Sequence, residues 1–410
     1  MADPVFGFSI NQETTEPRSV AGADMSIIGL VVTAPDADDE IFPLDTPVFM
    51  YSNDAAKLAA LGATGTAADA IEGINDQLGE FQVAAQLVIV RGELGEDDAE
   101  TIANLIAAGR GIHALKAAPT VLGKTPRLVA VPGFTHQHVA PAANGVCAAL
   151  GAVLDALLAQ AVVEGPNTSA AADKAWRTAH AHKRLIPVSG GWTKLVAGEA
   201  AAVPLAPRIL GLAVRIDHEN EGRPFRSWAN RPILGGLGPA RAIPFSLTDG
   251  AIEGQDLLAS QIGVVVRGEP GVDGAIADGG FVFIGIENAG EDPLWRQYHQ
   301  VRGRDYIHLF FLRSLRFYLG RFSLTGHVLR TVLGVVKDEL RNREATGDIL
   351  GFRVEFRADQ NQPDQLRLGR IVIRTLFEEA PVLSHMTLQS GRYREALDDL
   401  LDSLAGQTVA

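Results

Sequence analysis

The chain has 410 residues, 47% of them hydrophobic and 21% charged, with a formal net charge of −13. That composition excludes a disordered chain, and the acidic balance argues against general nucleic-acid binding. A single cysteine, Cys147, excludes a disulfide framework or a cysteine-rich metal site and fits a reducing compartment. The opening residues MADPVFGFSINQETTEPRS lack a basic start and an apolar h-region, so no signal peptide is expected. Glycine and polar residues break every apolar run short of a membrane span, so no membrane anchoring is expected. At this length two or three domains are expected.

In chain order, the first element is a strand over 5–10, where Phe6, Phe8 and Ile10 alternate with Gly7 and Ser9 after Val5. A lone terminal strand cannot bury a face by itself, so it must add to a sheet, its own or a neighbour's. Residues 25–52 read as strand, acidic turn and strand. Thr66 is placed to cap a helix over 67–78, and 86–91 reads as a buried strand. The helix over 97–109 has acids in its first turn and Gly109 at its end.

From residue 111 strands and helices alternate: a strand at 127–133, a helix at 139–163, a strand at 184–190, a helix at 200–214 and a strand at 260–268. Such alternation points to an α/β domain with a mainly parallel sheet. The loop-rich stretch 219–241, in which basic and aromatic residues alternate, reads as surface or interface.

A buried strand at 279–286 leads into a helix on which Ile307, Phe310, Phe311, Ser314, Leu315, Tyr318 and Leu319 share one apolar face. Arg302, Arg313 and Arg316 fall on the opposite side. A second helix follows over 323–344, with Ser323 as candidate N-cap. Between 296 and 330 seven arginines stand against one acid, Asp305, in an otherwise acidic chain. A local field of the opposite sign is expected to meet a partner. Residues 352–358 alternate as a strand, and 368–382 read as a long one whose pairing Pro381 ends on one edge. Ser390 opens an amphipathic helix with Tyr393, Leu397, Leu400, Leu401 and Leu404 on its apolar side.

The motifs that could carry chemistry fail. GKT at 123–125 has Ala118 where a phosphate loop needs glycine, and GGLG at 235–238 misses the dinucleotide spacing. The pairs His136/His138 and His180/His182 have no acid between them and no strand to align them on a metal. There is no GxSxG, and Ser189 has no neighbouring histidine. No cofactor, metal or catalytic constellation is expected, and the chain reads as non-enzymatic.

Five blocks carry a resemblance: IIGLVVTAPDADDEIFPLDTPV (27–48), GIHALKAAPTVLGKTPRLVAVPGF (111–134), LAVRIDHENEGRPFRSWANRPILG (212–235), GGFVFIGIENAGEDPLWRQYHQVR (279–302) and LRLGRIVIRTLFEEAPVLSHMTLQ (366–389). In order and spacing they resemble the tail sheath protein of contractile-tailed bacteriophages, of the small temperate-phage type. The resemblance implies an α+β inner domain with an inserted α/β outer domain and extended arms at both ends. It places the N-terminal arm at 1–22, the inner, tube-facing domain at 23–91 and 274–365, and the outer domain at 92–273. Residues 366–410 form a C-terminal strand-and-helix arm counted with the inner domain.

The implied role is structural. Subunits form a helical homo-oligomer of stacked rings around an inner tail tube protein and contract to drive the tube through the host envelope. Baseplate and tail terminator proteins are the further implied partners, with no nucleic acid. The implied place is the virion tail, assembled in the host bacterial cytoplasm. Val5, Phe6, Phe8 and Ile10, with Leu368, Ile371, Ile373 and Leu376, are the inter-subunit strand residues on this reading, and Arg302, Arg313 and Arg316 face the tube. A tail-like bacteriocin or a secretion-system injection machine is the alternative, and an α/β hydrolase is the rival from the enzyme class.

Overall fold

Ile28, Leu30 and Val32 alternate with Gly29, Val31 and Thr33 in one strand, and all six are buried. A strand covered on both faces belongs inside a sheet with helices on both sides. The computed structural model, which describes residues 24–79, 83–268 and 280–405, shows that arrangement. The expected N-terminal strand at Val5, Phe6, Phe8 and Ile10 lies outside the described residues.

The chain runs through β1 (Ile28–Thr33), β2 (Pro47–Tyr51), α1 (Ala55–Leu61), α2 (Ala67–Leu78), β3 (Gln86–Gly92) and α3 (Asp98–Ile106). There follow α4 (Ala118–Val121), β4 (Leu128–Ala130), α5 (Gly145–Leu157), β5 (Gln160–Glu164), α6 (Ala170–Thr178) and β6 (Leu185–Val188). The six strands form one sheet in the order β2-β3-β1-β4-β5-β6. Only β2 runs antiparallel to its neighbour, and the register sets Leu30 beside both Ile89 and Ala130.

Strand periodicity sends the side chains of this sheet into two cores, one on each face. Leu30, Val32, Leu87 and Ile89 pack with Ile71 and Ile74 of α2, whereas Val31, Val88 and Val90 pack with Leu150, Val153 and Leu154 of α5. After β6 come β7 (Trp192–Val196), β8 (Glu199–Val203), α7 (Ala206–Glu219), β9 (Arg231–Ile233), β10 (Gly238–Pro239), α8 (Glu253–Ala259), β11 (Val264–Arg267) and β12 (Phe281–Ile284). Helix α7 lies against α2 so closely that a Cβ on Gly211 would stand 2.8 Å from the Ile74 carbonyl oxygen.

Next are α9 (Tyr298–Leu315), α10 (Gly326–Ala345), β13 (Ile349–Glu355), α11 (Pro363–Arg367) and β14 (Arg374–Glu379). Ile307, Leu309, Val336, Leu340, Ile349 and Phe377 bind the helix hairpin α9–α10 to the antiparallel ribbon β13–β14. A second compact unit begins at Pro381 and contains α12 (Glu395–Ala405). None of the residues of α12 is buried.

The α/β class and the largely parallel sheet agree with the sequence reading, while several boundaries do not. The division expected between 91 and 92 falls inside β3, which is hydrogen-bonded to β1 and β2, while β1 bonds β4. Strands β1, β2 and β3 therefore share one sheet with β4, β5 and β6 instead of forming a separate layer. Strand β12, expected with the C-terminal part, pairs with β9 and β11. The helix expected over 139–163 stops at Leu157, because Leu158 turns left-handed at φ 48°, and β5 follows. The helix expected at 200–214 is the end of β8 and then α7.

Thr66 precedes α2, yet its Oγ1 accepts from the Thr33 N–H at 3.1 Å and makes no cap bond. Thr325, not Ser323, caps α10, accepting from the Val328 N–H. The long strand expected over 368–382 is only β14. Leu368 follows α11, Ile371 and Ile373 lie in a connecting segment, and Asn361 pins that segment through both polar groups of Val372. The loop 219–241 is no free surface, since Phe225 and Trp228 are buried in it.

The N-terminus of α7 lacks a cap from its own flank, and the carboxylate of Glu164 at the end of β5 accepts the Ala206 N–H at 2.5 Å instead. Burial pushes this carboxyl from 4.5 up to about 7. A raised carboxyl favours the folded state while protonated, so its contribution is complete below 4.5 and is lost as pH rises to about 7. Glu164→Gln keeps the acceptor without the proton. Denaturant melts across pH should show wild type losing up to about 3 kcal/mol relative to Glu164→Gln over that window, with a parallel pair of curves as the contrary result.

Candidate assembly surface

Helix α9 begins inside the protein and ends outside it. Its first turns carry Val301, Arg302, Asp305, Tyr306 and Leu309, all buried. Charges there need partners, and each finds one on a different element. The Arg302 guanidinium reaches both carboxylate oxygens of Asp217 on α7, at 3.0 and 2.5 Å. Asp305 takes the Arg184 guanidinium from the approach to β6. Arg304 bonds both oxygens of Glu379 on β14, at 2.5 and 2.8 Å. Bidentate pairs of this kind fix orientation as well as distance.

Burial pushes the Asp217 carboxyl up, and the Arg302 charge draws it back. His299, its Nε2 donating to the Ala380 carbonyl at 3.1 Å, is pushed by burial down to about 4 and is neutral. Arg302 was expected to face the tube. It is 1% exposed and serves the interior, so that assignment is corrected. The cause is Asp217, whose carboxylate lies equally buried opposite it.

The far end of the hairpin is different in character. Ile307 and Ser314 are buried, Phe310, Phe311 and Leu315 are half-buried, and Leu319 is 76% exposed. The apolar face expected of this helix thus packs at its root and emerges at its end. Phe317, Tyr318 and Phe322 cluster with ring centres 5.5 to 5.7 Å apart, and Arg321 stacks on Phe317 at 5.1 Å. Arg313 is half-buried and Arg316 exposed in the last turn. No acid occurs from 306 to 337. The tip is therefore both apolar and basic, which is the profile of a contact surface and not of a solvated turn.

Two more features suit contact. In the ribbon, β13 and β14 pair only with each other among the described residues, which leaves an edge on each side. Of the predicted donor residues there, Leu376 alone lies within a strand. In the second unit, Leu397, Leu400, Leu401 and Leu404 are all exposed along one face of α12, and Glu395, Asp398, Asp399 and Asp402 charge the helix.

Three of the residues considered for chemistry have partners within the fold. His180 is buried, with Nε2 accepting the Asn144 N–H and Nδ1 facing the Trp176 carbonyl, and His182 pairs with Asp155. Ser189 Oγ lies 2.7 Å from the Asp173 carboxylate, which Arg241 also engages. An arginine cannot take a proton from that serine. Among the described residues no cluster of acids, histidines and cysteines could hold a metal, and no helix is long and apolar enough to cross a membrane.

No family model matches the chain. It is 25% identical over 419 residues to the tail sheath protein of Escherichia phage P2, covering 98% of this chain and 99% of that one. The major tail sheath protein of Serratia phage KSP20 is 24% identical over 403 residues, 95% of each chain. The fold matches the helical sheath of the anti-feeding prophage in its contracted state with a TM-score of 0.66, at 15% identity over 96% of this chain and all of that one. The chain is thus similar, from end to end, to phage tail sheath proteins.

The arginines between 296 and 330 thus divide into two classes. Arg302 and Arg304 hold the subunit together, whereas Arg316 lies on the exposed tip. Sequence periodicity missed Asp217, Glu379 and Arg184 because each lies far along the chain. The available signal was the placement of Arg302 and Asp305 on the same stripe as Val301, Tyr306 and Leu309.

The two classes should separate in denaturation. Asp217→Ala leaves Arg302 buried without its partner and should cost about 3–5 kcal/mol. Arg316→Glu should stay within about 0.5 kcal/mol of wild type. Equal losses in urea melts of the two variants would refute the division.

Proposed function

We propose that the chain is the structural subunit of a contractile phage tail sheath, polymerising as a helix of stacked rings around an inner tail tube and contracting to drive it through the host envelope. The observation that carries this is the end-to-end likeness to phage tail sheath proteins, 98% of this chain against 99% of that of phage P2. The surface supports it. A heterologous contact that does not close on itself builds a helical polymer, and unpaired ribbon edges accept strands from neighbours through main-chain hydrogen bonds. On this reading the segment containing Val5, Phe6, Phe8 and Ile10 is one such strand. The exposed C-terminal unit reaches a second neighbour.

The baseplate and a tail terminator bound the polymer at its ends, and assembly takes place in the host bacterial cytoplasm before the particle is released. The extended sheath is a kinetically trapped state, released by the additional interface that contraction forms.

Arg313 and Arg316, with the aromatic tip, face the tube. Exposed ion pairs are worth only about 0–1 kcal/mol each, but many copies around a tube add up to a grip that can still release. Salt should loosen it, since the Debye length falls from about 8 Å at physiological strength to about 3 Å at 1 M. The test is assembly of full-length chain with tube protein, viewed by negative-stain microscopy. Wild type should give striated, tube-filled sheaths, and Arg313→Glu with Arg316→Glu should give empty contracted ones. Unchanged tube-filled sheaths with unchanged salt sensitivity would remove these arginines from the contact. Uniform small particles from wild type would reject the sheath reading.

A further inference from the structure

The residues where the N-terminal segment enters the described fold are held by the side chain that anchors the hairpin. Arg302 Nη2 donates to the Met25 carbonyl at 3.1 Å, while its fork holds Asp217. Asp217 Oδ2 also accepts from Ser26 Oγ at 3.0 Å. Two successive residues are thus gripped by one ion pair, Met25 through its backbone and Ser26 through its side chain. The central carbon of the guanidinium lies over the Trp228 ring at 5.2 Å, and Trp228 packs tilted against Tyr298, the first residue of α9, at 4.5 Å. The Met25 side chain is itself buried among Phe225, Tyr306 and Ile307.

This geometry leaves α9 little freedom to turn alone. Rotation at its root either carries the Met25 carbonyl along or strands a guanidinium donor and a carboxylate in a buried site, and stranded buried charges are costly. The joint borders open space. A cleft of about 420 Å³ opens beside it, lined by Asp24, Ser26, Gln86, His218, Glu221 and Tyr306. Arg304 and Asp305, by contrast, tie α9 to Glu379 and Arg184.

We infer that Arg302 is a positioning residue that couples the root of the N-terminal arm to the α9–α10 hairpin, so that a neighbour's hold on the arm and the hairpin's grip on the tube change together. The inference rests on the sheath reading above. It adds a mechanical link inside the subunit between two surfaces that face different partners.

Hydrogen–deuterium exchange on full-length assembled sheaths tests it, followed while mild urea converts extended sheaths to contracted ones. The two segments compared are 24–30, at the arm root, and 307–330, in the hairpin. In wild type both should change protection at one rate. Arg302→Lys keeps the charge but loses the planar fork, and should separate the two rates about fivefold or more. Ser26→Ala, which alters only a half-buried side chain, should separate them in the same direction and carries the test if Arg302→Lys fails to fold. Arg304→Lys, which loosens the hairpin from Glu379 instead, should leave the rates equal. Equal rates in both Arg302→Lys and Ser26→Ala, or unequal rates in wild type, would overturn the inference while leaving the sheath reading intact. Absence of sheaths from wild type would overturn the sheath reading, and this inference with it.

Discussion

The arrangement of this subunit depends on one buried ion pair, Arg302 with Asp217, each side chain 1% exposed. Such a pair adds little net stability compared with apolar residues of similar size, because desolvation cancels most of the attraction. Its consequence is geometrical. A planar fork on a carboxylate admits few relative orientations, so the sheet body, through α7, dictates how α9 leaves it. The hairpin, the ribbon packed beneath it and the exposed tip take their direction from that contact.

Charge is distributed to match. The chain is acidic at −13, yet its basic segment is divided between interior and surface. Near the root of α9, arginines are consumed by Asp217 and Glu379, and Asp305 is consumed by Arg184. Beyond Asp305 no acid follows until Asp338. The segment thus has a neutralised base and a positive end. A rigid base with a basic tip suits a subunit that must keep its own fold while its contacts break and re-form.

The sheet was legible because strands buried on both faces read as apolar runs, as in IGLVVT and QLVIVRG. The start of the helix expected over 97–109 was legible from its acidic first turn, with the Asp97 side chain accepting from the Glu100 N–H, but the helix ends at Ile106 with Ala107 as its cap, and Gly109, at φ +77°, lies in the turn beyond. The end of α5 was not legible, since a leucine at φ 48° carries no signal in its residue type and β5 continues the same apolar composition. The stretch around Ile371 and Ile373 has a strand's composition, but Asn361 holds Val372 by side-chain bonds that compete with a ladder. Arg302 was misread for a related reason. Helical periodicity orders residues within one element, whereas the residue that turns Arg302 inward lies 85 positions away. The resemblance of the five blocks supplied the function, and periodicity supplied the exposed tip but not its root.

A cryo-electron microscopy reconstruction of the assembled chain in extended and contracted forms tests the account most directly. The account predicts helical tubes in which each subunit body moves as a unit, with the Arg302–Asp217 pair intact in both forms and the terminal segments of one subunit joined to the ribbon of another. Tubes whose subunits part at Arg302 on contraction, or ribbons whose edges meet no neighbouring strand, would contradict it.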